Sequence, residues 1–427
     1  MTNFVPADNI GRVAKLTPPI TGRRRHSSVG KFDLGDTSVR ALHSIPSRKA
    51  RYAQAEDLNR VTSKDATDQD VLQKLWISLK ILIVRHTWVP PLVVLIVTRT
   101  VYILSNNYTA SNPLHAFFGL SYQIPGTNPP MYGKGWKDFL FVFHMMIFFT
   151  FFREFVMQVI LKPLAEYFGL QKRGKKQRFM EQTYSVVYYA ITGPLGLYIM
   201  YHTPMWFFNT SEFYRDYPHK THEYLFKLYY LGQAGFWAQQ SVVLTLQLEK
   251  PRKDFKELVF HHIVTMLLIG LSYRFHFTWM GLAVYITMDI SDFFLAVSKT
   301  LNYLNSPLIT PFFFSFVVVW FYARHYLNIK ILWSVLTEFR TVGPYKLSFP
   351  DQQYKCWISQ PIVFVLIFAL QLVNIYWFAM VLRIAYRYIF LNIRKDERSD
   401  DESTEEEEDK EDARERTANQ VSQKKVN

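Results

Sequence analysis

Apolar residues in this 427-residue chain gather in long runs, instead of recurring at the spacing of soluble helices or strands. Runs such as PPLVVLIVTRTVYIL, FLFVFHMMIFF and PIVFVLIFALQLV carry few or no charges. A bilayer core about 30 Å thick needs roughly 20 such residues per helix. The pattern predicts an all-α fold, a polytopic membrane helix bundle with about eight transmembrane helices at residues 88–104, 139–161, 184–202, 225–248, 258–275, 279–298, 311–333 and 361–382.

Polar segments flank these runs and divide the chain into four parts. Residues 1–70 show no periodicity and predict a disordered, basic cytosolic arm. Residues 71–137 are expected to hold an amphipathic helix, the first transmembrane helix and a lumenal loop. Residues 138–392 are predicted to form the main membrane domain, and residues 393–427 are predicted to form an acidic, disordered cytosolic tail.

Lys and Arg residues cluster in alternate loops, and this bias indicates the orientation in the membrane. The 162–183 and 249–257 loops are rich in both residues, whereas the 105–138 and 202–224 loops are poor in them. Cytosolic loops carry the excess of positive charge, so the N- and C-termini are both predicted to be cytosolic.

Short motifs agree with this topology. The N-glycosylation sequons at Asn107 and Asn209 fall in loops predicted to be lumenal. The chain ends in the dilysine Lys424-Lys425, a signal that cytosolic coat proteins read, which predicts residence in the endoplasmic reticulum membrane.

Two groups of serines are candidate phosphorylation sites. Ser27 and Ser28 follow three arginines, a pattern that basophilic kinases use. Ser399 and Ser403 precede acidic residues, a pattern that suits acidophilic kinases. Both groups fall in the polar tails.

Composition narrows the class of protein. The net charge of +14 suits anionic lipid surfaces and anionic substrates, and without a soluble basic and aromatic module we expect no nucleic-acid partner. The one cysteine, Cys356, allows no internal disulfide. The N-terminus lacks an early apolar stretch, so no cleavable signal peptide is predicted.

Four ionisable residues stand out within the apolar spans: the adjacent His261 and His262, and the aspartates Asp289 and Asp292. The aspartates are three residues apart and share a helix face. A short hairpin joins the two spans, so the four groups can converge near the cytosolic side. Lipid cannot solvate them, which favours mutual pairing, and a His–Asp pair is also what general-base or nucleophilic catalysis needs.

Further polar residues inside the spans should face the bundle interior for the same reason. They are Arg153 with Glu154, Arg324 with His325, and Gln371 with Asn374.

Other interpretations of the four ionisable residues stay open at this point. They can form a buried polar clamp, or a His2Asp2 zinc site, although adjacent histidines point about 100° apart on a helix. A proton path in a transporter is a further possibility, but the chain shows no internal repeat. A di-iron desaturase needs several spaced histidine boxes, and only His219-x-x-His222 and His261-His262 come close. We expect no bound metal or cofactor.

Basic residues directly precede the histidine span, at Lys250, Arg252 and Lys253. They can hold the phosphates of a coenzyme A thioester. Ordinary positive charge on a cytosolic loop explains them equally well.

The stretch LEKPRKDFKELVFHHIVTMLLIGLSYRFHFTWMGLAVYITMDISDFFLAVSKTLNY, from Leu248 to Tyr303, resembles the signature of ceramide synthases in the TLC membrane family. MWFFNTSEFYRDYP resembles the lumenal loop of that family, and YYLGQAGFWAQQSVVL resembles its fourth span. The resemblance covers roughly residues 72–392. The acidic tail, the lack of a homeobox-like insert and Met288, where many animal members have histidine, look like the fungal branch.

The resemblance implies transfer of a very-long-chain acyl group from fatty acyl-CoA, as co-substrate, to the amine of dihydrosphingosine or phytosphingosine. It implies that His261 deprotonates the amine or takes the acyl group as an acyl-imidazole, two routes that stay open here. His262, Asp289 and Asp292 would orient His261 and manage protons. Non-catalytic TLC proteins that sense lipids or assist translocation, and transporters, are the alternative.

The resemblance also implies features beyond the catalytic residues. An internal apolar channel among spans two to seven is expected, with the lumenal 334–360 loop helping to set acyl length. The family implies a homodimer, or a heterodimer with a paralogue, and a small single-pass accessory subunit. Aromatic residues that are candidates to line the channel are Phe151, Trp237, Phe294 and Tyr322.

Overall fold

The computed structural model describes residues 68–246 and 254–391 of this chain. These residues belong to one compact unit, Ala41–Asn427, and the other unit, Met1–Arg40, lies outside the described ranges. The predicted functional residues that also lie outside the described ranges are Ser27, Ser28, Lys250, Arg252, Lys253, Ser399, Ser403, Lys424 and Lys425.

Helices dominate the described residues. In chain order, the α-helices are α1 (Asp68–Arg85), α2 (Val89–Leu104), α3 (His115–Phe118), α4 (Lys137–Phe155), α5 (Lys162–Tyr167), α6 (Arg173–Tyr201), α7 (Tyr224–Thr245), α8 (Phe255–Arg274), α9 (Thr278–Tyr303), α10 (Ile309–Trp320), α11 (Asn328–Thr337) and α12 (Ser359–Leu391). π-Helical segments join α4 to α5 (Val156–Leu161) and α10 to α11 (Phe321–Leu327), and a 3-10 turn spans Thr210–Phe213.

Several helices have the length and composition of membrane spans. Among the described residues, those that are at least 18 residues long and apolar enough to cross a bilayer are Lys137–Tyr167, Phe255–Arg274, Thr278–Tyr303 and Ser359–Phe390. Val89–Leu104 is apolar but shorter. The predicted class, an all-α membrane bundle, is therefore confirmed, whereas the number of eight spans stays a prediction.

The two helices α6 and α7 are more polar than the spans because they lie in the middle of the bundle. α6 packs along α9, and α7 packs against α4 and α8. Both helices bury tyrosines and polar side chains such as Glu181 and Gln233. Surrounding protein can satisfy such groups, so a central helix does not need a uniformly apolar surface.

Gly196 lets α6 approach its two neighbours closely. A Cβ atom at this position would lie 2.7 Å from the Tyr229 hydroxyl oxygen on α7 and 2.8 Å from Ile286 Cγ1 on α9. Any larger residue would therefore push the helices apart or displace Tyr229. The three helices meet at this point one turn before the polar residues of α9.

A small antiparallel sheet covers the predicted lumenal end of the bundle. Its strands pair in the order β1 (Gln123–Ile124), β2 (Met131–Tyr132) and β3 (His222–Glu223). Lys227 joins the sheet to the helices, because its Nζ donates to the carbonyl oxygens of Ser121 and Gly133 beside β1 and β2 and forms a 2.7 Å ion pair with Asp138 on α4. This sheet was not predicted from the sequence.

The polar residues predicted to face the interior of the bundle do so. Arg153, Glu154, Arg324, His325, Gln371 and Asn374 are all buried. Arg153 donates a 2.6 Å hydrogen bond to Glu154, just before the first π-helical segment, and Arg324 lies inside the second. A π-helical segment inserts a residue into the helical register and often marks a functional site.

Candidate functional site

The two predicted histidines lie in the first half of α8, with their ring centroids 5.6 Å apart and their planes at 87°. His262 Nδ1 lies 2.9 Å from the carbonyl oxygen of Leu258. A carbonyl only accepts hydrogen bonds, so Nδ1 is the nitrogen that carries the proton in this tautomer. His261 is the more buried of the pair, and its Nδ1 has no hydrogen-bond partner among the described residues.

Two tryptophans flank His261. The ring of Trp237, from α7, has its centroid 5.8 Å from His261, and that of Trp377, from α12, has its centroid 5.2 Å away. Trp377 Nε1 donates a 3.1 Å hydrogen bond to Asp254, which directly precedes α8. The imidazole of His261 is therefore held in an aromatic wall built by three helices.

Asp289 is fully buried in the middle of α9 and receives hydrogen bonds from α7. The amide of Gln233 donates to its carboxylate, and the Tyr229 hydroxyl donates over 3.3 Å. Tyr188, from α6, donates a 2.7 Å hydrogen bond to the Gln233 carbonyl and so orients the amide. Polar side chains from the two central helices thus take the place of water around the Asp289 carboxylate.

Asp292 forms a buried ion pair, because Arg324 Nη2 donates to it over 2.5 Å. Arg324 also donates to Ser291 Oγ over 2.6 Å and to Asn374 Oδ1 over 3.2 Å, and its guanidinium lies 4.0 Å from the centroid of the Trp320 ring. The guanidinium is therefore fixed by four neighbours as well as by charge.

The aspartates do not form the predicted direct pair with the histidines in the hydrogen bonds that the structure describes. Their described donors are Tyr229, Gln233 and Arg324 instead. The second π-helical segment brings Arg324 to the face of α10 that meets α9, where it neutralises Asp292. The sequence signal for these partners was an arginine and a glutamine within apolar runs, but it could not indicate which aspartate each would meet.

An apolar cavity of about 290 Å³ begins at His261 and Trp237 and extends between α8, α9 and α12. Phe275 follows His261 by 14 residues on the α8 side of this cavity, a separation of about 21 Å at 1.5 Å per helical residue. The far end is formed by the loop before α12, through Leu347, Phe349, Tyr354, Cys356 and Ile358.

The cavity differs in two respects from the predicted channel. α12, the last predicted span, forms one wall, so the cavity is not confined to spans two to seven. Of the four candidate aromatic residues, Trp237 lines the cavity, whereas Phe151, Phe294 and Tyr322 are not among its lining residues. Tyr322 is instead largely exposed on the second π-helical segment.

The histidine box considered for a di-iron centre lies elsewhere, at the predicted lumenal end. His219 stacks on Trp279 with ring centroids 4.2 Å apart, and His222 Nε2 lies 2.8 Å from Thr278 Oγ1. Burial lowers the pKa of His219 to about 4, so this imidazole is neutral at physiological pH. Within the described ranges, no three His, Cys, Asp or Glu residues are grouped as metal ligands.

The two sequons differ in their surroundings. Asn107 is half-buried, and its side-chain oxygen accepts hydrogen bonds from Thr109. Asn209 is exposed, while the Ser211 hydroxyl of the same sequon donates to Glu338. Asn209 is therefore the more accessible of the two.

Comparison with known proteins places this chain in a family. Residues 178–383 match the TLC domain. Sphingosine N-acyltransferase LAG1 of Saccharomyces cerevisiae (strain YJM789) is 57% identical over 379 residues, which cover 88% of this chain and 91% of that protein. Sphingosine N-acyltransferase lac1 of Schizosaccharomyces pombe is 52% identical over 74% of this chain and 81% of its own length. Ceramide synthase 4 of Mus musculus is 31% identical over 50% of this chain and 51% of its own length.

Proposed function

This chain belongs to the TLC-domain ceramide synthases, or sphingosine N-acyltransferases, and on that premise we propose that His261 performs the acyl transfer at the mouth of the apolar cavity. The protein is an acyltransferase that uses fatty acyl-CoA as co-substrate. It moves the acyl group to the amine of a sphingoid base, which yields a ceramide and free coenzyme A.

One observation supports the assignment of His261 above the others. Among the described residues that line the cavity, His261 is the only histidine, and none is Asp, Glu, Lys or Arg. A fatty acyl chain needs an apolar cavity, and its thioester needs a base or nucleophile at one end. His261 can supply the base or nucleophile, and the apolar cavity wall that α8 forms beyond it can hold the acyl chain.

The chemistry follows from the charge of the amine. A sphingoid base is cationic at neutral pH, so it must lose a proton before its nitrogen can attack the acyl carbonyl carbon. That first proton leaves to solvent. As the carbon–nitrogen bond forms, a neutral imidazole at His261 can take the second proton from the attacking nitrogen and give it to the coenzyme A thiolate when the carbon–sulfur bond breaks. Alternatively, His261 displaces coenzyme A first, and the amine then displaces the imidazole. The geometry is compatible with both routes.

His262, Asp289 and Asp292 are assigned supporting roles. The hydrogen bond from His262 Nδ1 to the Leu258 carbonyl oxygen supports one orientation of the ring packed against His261. In the described contacts Arg324 pairs with Asp292 and not with Asp289, so an ionised Asp289 would supply one negative charge for a cationic amine.

The finer substrate choice is also part of the proposal. A very-long-chain acyl group would run from His261 towards Phe275 and the loop before α12, with dihydrosphingosine or phytosphingosine as acceptor. The apolar lining of the cavity and the loop at its far end support a fatty acyl chain along this path. Loop residues such as Phe349 would then limit the acyl length.

We further propose residence in the endoplasmic reticulum membrane, with both termini cytosolic. The distribution of Lys and Arg between alternate loops supports this topology. Coenzyme A phosphates would then meet Lys250, Arg252 and Lys253 on the cytosolic side, directly before α8. A dimer and a small single-pass accessory subunit remain proposed partners.

The test is ceramide synthesis by purified full-length protein, together with any subunit that co-purifies. Labelled very-long-chain acyl-CoA and phytosphingosine would be supplied to wild type, His261→Ala and Asp289→Asn, each checked for folding. His202→Ala, which alters an exposed histidine at the other end of the bundle, is the matched control. Ceramide from wild type and control but not from folded His261→Ala supports the proposal, and ceramide from all four proteins refutes the assigned residues.

A further inference from the structure

The two tryptophans that flank His261 differ in what their indole N–H groups do. Trp377 Nε1 donates to Asp254 over 3.1 Å. Trp237 Nε1 is buried and has no acceptor among the described residues. An indole N–H can only donate, and a buried one usually finds an acceptor, so this donor needs an explanation.

We infer that the Trp237 N–H is a catalytic hydrogen-bond donor that binds the oxyanion formed at the acyl carbonyl. The inference rests on the proposed function of His261. It assigns to a named side chain the stabilisation that every acyl transfer through a tetrahedral intermediate needs.

The position of Trp237 fits this role. Its ring makes edge contacts with both histidines, with centroids 5.8 Å from His261 and 5.8 Å from His262. Trp237 and His261 line the same end of the apolar cavity. The Nδ1 atom of His261 is likewise buried without a described partner, so an unpaired donor and an unpaired ring nitrogen belong to two neighbouring rings that line the same cavity.

The surroundings make such a donor effective. The described lining of the cavity is mostly apolar and includes no Asp, Glu, Lys or Arg. His261 is its only titratable histidine. Hydrogen bonds to developing charge are stronger in a water-excluded, low-dielectric site than in water. A donor that is already desolvated and fixed by packing needs no reorganisation when the negative charge appears.

The step balances without any further reactant. The amine nitrogen forms a bond to the carbonyl carbon, the carbonyl π electrons move to oxygen, and Trp237 N–H donates to that oxygen without transferring its proton. When the C=O bond re-forms, the carbon–sulfur bond breaks and the thiolate takes the proton that His261 removed from the attacking nitrogen, while the extra proton of the ammonium form has already left to solvent. In the two-step route, the same donor serves both tetrahedral intermediates.

Trp237→Phe removes the donor and keeps most of the aromatic surface. Loss of one oxyanion donor typically lowers kcat by about 100- to 1,000-fold, and we expect that loss here with KM for both substrates within about threefold of wild type. Trp377→Phe, whose N–H already has an acceptor, should lower kcat by less than about tenfold. Trp333→Phe, on the exposed face of α11, should leave kcat unchanged.

A second replacement separates the N–H from the shape of the ring. An amino acid with a benzothiophene in place of indole puts sulfur where the N–H was, and it would be incorporated at position 237. The inference expects this protein to fold as wild type does and to show the same loss of kcat as Trp237→Phe. Wild-type kcat with the sulfur analogue would overturn it, even if Trp237→Phe were inactive, because packing would then explain the loss.

Wild type and His261→Ala in the same assay distinguish the two proposals. No ceramide from folded wild type would remove the proposed function. Active wild type, inactive His261→Ala and a fully active sulfur analogue would remove only the oxyanion donor.

Discussion

Arg324 donates a 2.5 Å hydrogen bond to Asp292 from inside a π-helical segment, and both residues lie within the helical bundle. Isolated charges are costly in an apolar environment, so the pair exists because each residue neutralises the other. Ser291, Asn374 and the ring of Trp320 complete the surroundings of the guanidinium.

Removal of Arg324 is therefore expected to be costly. Arg324→Ala should lower the free energy of unfolding by about 3–5 kcal/mol, because it leaves Asp292 buried without its cation. The double variant Arg324→Ala/Asp292→Asn should lose less than the sum of the single variants, measured by denaturant titration in detergent micelles. Lys346→Ala, in an exposed pair with Asp351, should cost at most about 1 kcal/mol, and additive losses for the buried pair would contradict the expectation.

Gly196→Ala should separate the central helices. The new Cβ would meet Tyr229 and Ile286 at less than 3 Å, so we expect destabilisation by about 1–3 kcal/mol and lower ceramide synthesis. Gly270→Ala is the matched control, because no atom lies within 4 Å of its Cβ position. A helical Gly→Ala change without a clash should be neutral or stabilising by about 0.5–1 kcal/mol. Equal thermal stability of the two variants would show that the close approach at Gly196 does not matter.

Ile269→Trp should shorten the acyl chain that the enzyme accepts. Ile269 lies eight residues beyond His261 on α8, about 12 Å along the helix, and its side chain lines the cavity. A larger side chain there would block the distal part of the cavity. Measured with an acyl-CoA series of increasing length, the preference should move to shorter chains.

Leu267→Trp provides the comparison for this series. Leu267 is 45% exposed and does not line the cavity, whereas Ile269 is 8% exposed. The same substitution at position 267 should therefore leave the chain-length profile unchanged. A shift of equal size in both variants would refute a measuring role for the cavity.

Acid should destabilise the predicted lumenal end of the bundle. Burial lowers the pKa of His276 to about 3 and that of His219 to about 4, both below the ordinary value of 6.5. As the pH falls below 6.5, the unfolded chain binds protons that these folded residues refuse, so stability falls until the folded pKa values are reached. The loss approaches about 1.4 kcal/mol per pH unit for each histidine.

His276→Gln should flatten this dependence. The variant removes one titrating group, so its unfolding free energy should fall less steeply than that of wild type between pH 6.5 and pH 4. Identical slopes for the two proteins would show that His276 is already protonated in the folded state.

The helical class and the positions of the apolar helices were largely predictable because lipid imposes a strong pattern on sequence. Runs of apolar residues marked the helices, and isolated polar residues within them, such as Arg324 and Asn374, were correctly expected to face inward. Each segment that contacts lipid must itself be apolar and must satisfy its own backbone hydrogen bonds, so this requirement can be recognised in a single sequence. The more polar helices α6 and α7 are harder to recognise in this way, because a helix that is buried in protein does not need an apolar surface.

The partners within the site were less predictable. The expected His–Asp pairing depends on which faces of α8 and α9 meet. The partner of Asp292 depends in addition on the π-helical segment at Phe321–Leu327, which holds Arg324 and alters the helical register there. Gln233 and Tyr229 are ordinary residues in sequence, and only the packing of α7 brings them to Asp289. Trp237 was predicted as a candidate for the channel wall. Whether its N–H has a hydrogen-bond acceptor depends on side-chain geometry, which the sequence does not show.

The loop before α12 closes the cavity at the opposite end of the bundle from His261. In the proposed topology, the acyl transfer at His261 therefore takes place near the cytosol, whereas the loop that limits acyl length faces the lumen. A change in lumenal conditions, or a ligand that binds this loop from the lumen, would then alter which ceramides are made while the rate of acyl transfer stays the same. The acyl lengths of the ceramides would then depend on conditions in the lumen, although every covalent step takes place near the cytosol.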